Sequence, residues 1–274
     1  MTPQSDRWRV ILWRLVILIA LLGSWEWLTG WKAISKTPGL YWIDPFFVSR
    51  PSLIAQRFVY LASGEVRLSI WQMALSTVQS TLWGFVVGVS TGFAAGLVLG
   101  RNDRLARIFE PYIVAFNSLP RIALVPLITM IFGFGLAAKI VLAWTIVFFI
   151  VFFNTFQGAR SVDVDLIHSA RFLGARERQI MSTVVIPSAL AWTFASLTPS
   201  ISFALIGVVV GEFLGGESGG GLGFLIIQSL GTLNAADMMV ALLSLGVIGI
   251  VMALGIKQLE MRLLRWRPEY RKRA

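Results

Sequence analysis

Few side chains in this sequence have the type and spacing to do chemistry. The stretch "HSARFLGARERQIMSTVVIP", residues 168–187, carries the only histidine, His168, beside Arg171, Arg176, Glu177 and Arg178. No nucleophile motif accompanies that histidine, so the sequence offers no catalytic set. A single histidine and no cysteine exclude thiol chemistry, a disulfide framework and a Cys- or His-rich metal site. Two charges stand inside strongly apolar segments: Arg121, between Pro120 and Pro126, and Glu212. An arginine in the middle of a membrane helix costs about 2.5–3.5 kcal/mol on insertion scales, so Arg121 should face protein or water rather than lipid. The neighbouring prolines free backbone carbonyls, which only a protected or wet site tolerates. Arg121 could draw an anion along a pathway, or be a structural arginine that snorkels or pairs with Glu212. Glu212 could line the same pathway or hold an outer gate, or be a helix-end carboxylate near the outer surface. Asn117 and Ser118 are polar candidates for the pathway; Asn154 is weaker, since buried amides often only bridge helices.

The run "GGESGGGLG", residues 215–223, has the glycine content of a phosphate-binding loop but lacks the Gly-Lys-Ser/Thr ending. It reads instead as a flexible hairpin before a short helix, part of an outer gate.

These residues need a scaffold, and composition says which kind. Of 274 residues, 56% are hydrophobic and 14% charged, against about 25% charged in a soluble domain. Apolar runs recur at the ~20 residues that cross a bilayer as helix, without the ~10-residue alternation of barrel strands. The expected fold is an all-α membrane protein of about six spans, near 10–29, 76–99, 108–133, 138–157, 190–214 and 236–256. The third is interrupted by Pro111, Pro120 and Pro126. The basic, apolar start resembles a signal peptide, but bulky Trp25, Trp27 and Trp31 follow in place of a small-x-small cleavage site, so it reads as an uncleaved span with a Trp belt.

The net charge of +10 is explained by basic cytoplasmic loops rather than by nucleic acid. With the N-terminus inside, the inner segments hold roughly three times as many Lys and Arg as the outer ones, where Lys32, Lys36, Arg50, Arg57, Arg67 and Lys139 fall. Both termini are therefore expected in the cytoplasm. Three regions follow: 1–70, a first span plus an extracytoplasmic amphipathic segment; 71–257, the core; and 258–274, a basic cytoplasmic tail. In the outer segment "PSLIAQRFVYL" suits a surface helix with Leu53, Phe58 and Leu61 toward lipid. In the second span Gly84, Gly88, Gly92, Gly96 and Gly100 recur every four residues, leaving one helix face bare for close packing.

The opening stretch is then a cytoplasmic loop between the fourth and fifth spans. Asp165 is an N-cap candidate. Leu166, Ile167, Ala170 and Leu173 form one apolar face, and Gly174 ends or bends the helix. A second short helix, near 175–184, should stop at Pro187. A short exposed helix of this kind can dock in a groove of another protein or lie on the bilayer.

The spacing carries a resemblance. It is similar to the EAA loop of ABC importer permeases: Glu-Ala-Ala, three residues, Gly, nine residues, Ile-x-Leu-Pro. His168, Ser169 and Ala170 stand at Glu-Ala-Ala, Gly174 follows, and Val184, Ile186 and Pro187 stand at Ile, Leu and Pro. His168 and Ser169 depart from the pattern, which removes an ionic anchor and leaves docking to shape and apolar contact. "RNDRLARIFEPYIVAFNSLPRIALVPLITMIFGFGLAAKI" and "GVVVGEFLGGESGGGLGFLI" resemble the nitrate/sulfonate/taurine branch of these permeases, so the likeness runs from about Trp71 to Pro268. It implies a type I ABC importer permease in the bacterial plasma (inner) membrane. The implied assembly has two permease copies as a homodimer, two cytoplasmic ATP-binding subunits that hold ATP and Mg, and a periplasmic or lipid-anchored substrate-binding protein. The chain itself would be no enzyme and hold no cofactor. The coupling residues would be Leu166, His168, Ser169, Ala170, Arg171, Leu173, Gly174, Ala175 and Pro187. The solute would be a small anion of the nitrate, sulfonate, taurine or aromatic carboxylate class; the alternatives are a thiamine-precursor pyrimidine or an ATPase-independent channel or carrier.

Overall fold

The structure is a computed structural model that describes residues 3–31, 43–64, 69–215 and 220–264. Part of the basic tail, residues 216–219 of the glycine run, and Lys32, Lys36 and Arg67 lie outside the described residues. Every regular element among the described residues is helical. In chain order they are α1 (Pro3–Gly30), α2 (Pro45–Val48), α3 (Pro51–Ala62), α4 (Ile70–Arg101), α5 (Asp103–Ser118), a 3-10 turn Arg121–Leu124 leading into α6 (Val125–Phe132), and α7 (Leu136–Arg160). They continue with α8 (Val164–Phe172), α9 (Glu177–Ile180), a π-helical turn Met181–Val185, α10 (Ile186–Leu214), α11 (Leu222–Gly231) and α12 (Ala235–Leu263). Among the described residues, five helices are long and apolar enough to cross a membrane, six if one bent pair counts as a span.

The chain divides into two compact units, Met1–Gln72 with Leu225–Ser244, and Met73–Phe224 with Leu245–Ala274. In the first, Glu26 of α1 accepts hydrogen bonds from the Ser52 backbone N–H (2.9 Å) and hydroxyl (2.8 Å). Arg50 donates to the Thr29 carbonyl at 3.1 Å. Helix α3 forms as expected, with Leu53 and Phe58 exposed, but Leu61 is buried together with Ile54. Residues 54, 57 and 61 form one stripe at helical spacing. Arg57 in that stripe makes a bidentate ion pair with Asp237, which turns Leu61 inward rather than toward lipid. The hydrogen-bonded carboxylate holds the Arg57 guanidinium above its ordinary pKa.

The second unit is organised around α7. On one side, the glycines of α4 face it. A Cβ at Gly88 would lie 2.6 Å from Val147 Cβ, at Gly92 2.7 Å from the Phe148 carbonyl oxygen, at Gly96 2.7 Å from that of Phe152, and at Gly100 2.8 Å from Ala159 Cβ. On the other side, Gly207 and Gly211 of α10 leave room for Ile146 and Leu142. The buried core lies along this sandwich: Phe85 from α4, Ala143, Val147 and Val151 from α7, and Leu197, Ile201, Ala204 and Val208 from α10. Polar cross-links repeat the pattern, with Trp144 Nε1 donating to Thr91 at 2.9 Å and the Thr155 and Thr193 hydroxyls 2.7 Å apart.

Two expectations need correction. The third span is broken as expected, but at Pro120 alone and not at Pro111 or Pro126: Asp103–Ser118 and Arg121–Phe132 meet at 82°. Pro111 lies inside α5 without ending it; the break falls at Leu119, extended at ψ 129° before Pro120, as the residue preceding a proline prefers. Pro187 does not stop a helix either. It stands in the first turn of α10, and the helix runs continuously through Glu177–Leu214. The π turn just before it absorbs the disturbance: the Ile186 N–H reaches back to the Met181 carbonyl, one residue further than an α-helical bond.

Gly92→Leu puts a large side chain against the α7 backbone. It should cost on the order of 3 kcal/mol and appear as loss of detergent-stable protein in a thermal unfolding assay. Gly246→Leu, at a glycine whose Cβ would meet nothing within 4 Å, should melt like the unsubstituted protein.

Candidate translocation and coupling site

Three clusters in the second unit carry polar chemistry. The first is the connection from α7 to α10. Asp163, not Asp165, caps α8, its carboxylate accepting the Asp165 N–H at 2.9 Å. The helix ends at Gly174, where φ is +83°, a conformation glycine adopts without Cβ strain. The Ala175 N–H bonds the Ala170 carbonyl (3.0 Å) and the Gly174 N–H bonds that of Arg171 (2.9 Å), the pattern of a Schellman end. The expected apolar face is divided. Ile167 is buried with Ala159, Ile180, Val185 and Ala189, and Ala170 and Ala175 pack on that cluster. Leu173 is 88% exposed and Leu166 54%, and Phe172, absent from the expected face, is 92% exposed. His168 and Ser169 are exposed as well. So α8 is anchored by Ile167 and presents a Phe172–Leu173 tip. Ion pairs brace the connection: Glu177 joins Arg171 (2.7 Å) and Arg101 (2.9 Å), and Arg160 joins Asp103 (3.0 Å).

The second cluster is the break between α5 and α6. Arg121 is the first residue of the 3-10 turn rather than mid-helix. One of its terminal nitrogens donates to Asn117 Oδ1 at 2.5 Å, and its guanidinium lies over the Phe149 ring of α7, 5.0 Å from the centroid. Its Nε is buried with no hydrogen-bond partner among the described residues. Asn117 and Ser118 are exposed at the end of α5, and the Ser118 hydroxyl is taken up by the Val114 carbonyl at 2.8 Å. Asn154 only bonds back to the Ile150 carbonyl of its own helix.

The third cluster holds Glu212, which does not meet Arg121. Its carboxylate is fully buried and its counter-ion is Lys139, 3.2 Å away and only 2% exposed. Lys139 also donates to Ser76 at 3.0 Å. Glu212 further accepts the Gly223 N–H at 2.8 Å and lies 2.9 Å from the Thr77 hydroxyl, which itself accepts the Leu222 N–H at 3.0 Å. The glycine run serves this contact. A Cβ at Gly221 would collide with the Glu212 carboxylate, and one at Gly223 would lie 2.7 Å from the Val209 carbonyl oxygen. The described end of the run is thus packed backbone; the expected hairpin falls on 216–219, outside the described residues. Lys139, counted above among outer-loop bases, is the residue that sequence reasoning misses. Its one signal is its place at the start of an apolar span.

Residues 84–264 match the family described as "Binding-protein-dependent transport system inner membrane component". The chain belongs to this family. It is 27% identical to the taurine transport system permease protein TauC of Escherichia coli (strain K12), covering 96% of this chain and 94% of that one. It is 32% identical to the riboflavin transport system permease protein RibX of Chloroflexus aurantiacus, covering 81% of each. Among solved structures it resembles the MetNI methionine ABC transporter in inward-facing conformations, with a TM-score of 0.56 and 23% identity over 75% of this chain and 97% of that one. The chain is accordingly a multi-pass permease of the binding-protein-dependent ABC importer type, with the type I importer permease fold.

In this permease a buried ion pair is a demanding structure: removing one partner leaves an uncompensated charge and costs about 3–5 kcal/mol, whereas removing both can be nearly neutral. Lys139→Met and Glu212→Gln should each sharply lower the yield and melting temperature of the detergent-purified protein. The double variant should recover much of the loss, and pairing Arg121→Gln with Glu212→Gln should recover none.

Proposed function

We propose that this permease works as a homodimer that imports a small organic or inorganic anion by ATP-driven alternating access. In this reading two ATP-binding subunits hold ATP and Mg on the cytoplasmic side, where both chain termini lie. A periplasmic or lipid-anchored binding protein delivers solute from outside the bacterial inner membrane. The observation that carries the reading is the α8 tip. Two large apolar side chains, Phe172 and Leu173, stand almost fully exposed on a connection that also carries Arg171, Arg176, Glu177 and Arg178. An apolar knob on a rigid, charged loop suits insertion into a protein groove better than burial in lipid, which would carry the charges with it. The Schellman end and the buried Ile167 fix where the knob stands.

Arg121 supports the anion assignment. It lies at a helix break, where backbone polar groups are tolerable only beside protein or water. Its planar guanidinium, with Nε unpartnered among the described residues, has the geometry that suits carboxylate, sulfonate or nitrate oxygens. The taurine permease among its relatives fits a small sulfonate; the riboflavin permease shows how widely the solute varies within the family, and the binding protein would make the choice.

The test is a pulldown from membranes. Phe172→Ser with Leu173→Ser should leave the permease folded and dimeric but reduce the co-purified ATPase by about tenfold or more, the loss of roughly 1.4 kcal/mol or more of apolar contact. Undiminished ATPase in the pulldown would remove the docking role from α8.

A further inference from the structure

The coupling residues suggested by the sequence include Arg171 but not Glu177, to which it is bonded, nor Arg101, which Glu177 also holds. Glu177 Oε1 accepts from Arg171 Nε at 2.9 Å and pairs with its Nη2 at 2.7 Å, while Glu177 Oε2 accepts from Arg101 Nη2 at 2.9 Å. One carboxylate therefore joins three elements: α8 through Arg171, the last turn of α4 through Arg101, and, through its own backbone, the continuous helix Glu177–Leu214. The second ion pair nearby, Arg160 with Asp103, does not involve α8. Only Leu173, Gly174, Ala175 and Arg176 separate α8 from α9, and Gly174 is the pivot, left-handed with open space where a side chain would be.

We propose that Glu177 is a positioning residue for energy coupling: it locks the α8 tip to α4 and α10, so that a push on α8 moves those helices instead of bending the Gly174 turn. This rests on the reading of α8 as the ATPase contact. The mechanical argument follows from the packing. Without the bridge, α8 is held by Ile167 and by the short connection at Gly174. With it, displacement reaches α4 directly, and α4 meets α7 backbone to backbone along the glycine face, where little compliance remains. The three side chains are partly exposed, 31% for Arg101, 48% for Arg171 and 63% for Glu177, so the bridge adds little to global stability. Its effect should appear in coupling.

The experiment uses the full complex, permease with its ATPase and binding protein, in proteoliposomes. Glu177→Gln should assemble and melt like the unsubstituted complex, yet move about fivefold less solute per ATP hydrolysed. Arg101→Gln should behave likewise, and the double variant should be no worse than either single one, because both break the same bridge. Glu177→Asp should retain part of the coupling. An unchanged solute-to-ATP ratio in Glu177→Gln, additive losses in the double variant, or loss of the ATPase from the Glu177→Gln complex would each overturn the proposal. Failure of the underlying docking reading looks different: the unsubstituted permease would then hold no ATPase, or take up solute without one.

Discussion

Helix α7 can lie as deep as it does only because both neighbours drop their side chains where they meet it. The α4 glycines bring two backbones within reach of each other, and Gly207 and Gly211 of α10 receive Ile146 and Leu142. In a membrane, where the hydrophobic effect does little to hold helices together, close packing of this kind supplies much of the association. The polar features of the second unit are set out from this one helix. Lys139 near its start finds Glu212. Phe149 in its middle supports Arg121. Ala159 and Arg160 at its end touch the loop cluster and Asp103. Sliding α7 along α4 by one residue would move all three out of place.

The two ends of α7 are held by different physics, and the difference suits a transporter. At Lys139 and Glu212 the pair is fully enclosed, with hydroxyls and a backbone N–H filling out its contacts. Such a cluster has one good arrangement and penalises partial opening, which fits a place where helix ends should move as one body. At the other end the ion pairs of Glu177 and Arg160 are partly exposed and adjustable, beside an apolar tip free to meet a partner. The helix break at Leu119–Pro120 lies apart from both ends and leaves Arg121 Nε without a partner among the described residues.

What the sequence makes legible follows from what each signal requires. The spans and the glycine face are local periodic patterns, and both appear where periodicity puts them. The family resemblance rests on residue types at fixed spacing and coincides with the family match. The misreadings each have a physical source. A proline reads as a stop, but Pro187 follows a π turn that has already loosened the ladder. An apolar stripe reads as an outward face, but Ile167 is taken inward by its own chain, and Phe172, one position off the stripe, becomes the tip. Pairing of Arg121 with Glu212 is one of the readings the sequence allows, because both are charges in apolar segments, and the structure does not make it. The true counter-ion of Glu212 is 73 positions away from it at Lys139, and no local pattern announces a pairing over that separation.

The central claim is that this chain converts ATP hydrolysis elsewhere into movement of its own helices. Solute uptake into proteoliposomes containing the permease, its co-purified ATPase and the ligand-loaded binding protein tests it most directly. The account predicts accumulation against a gradient that requires ATP on the cytoplasmic side and stops when the ATPase is left out. Uptake that proceeds at the same rate without ATP or without the ATPase would contradict it.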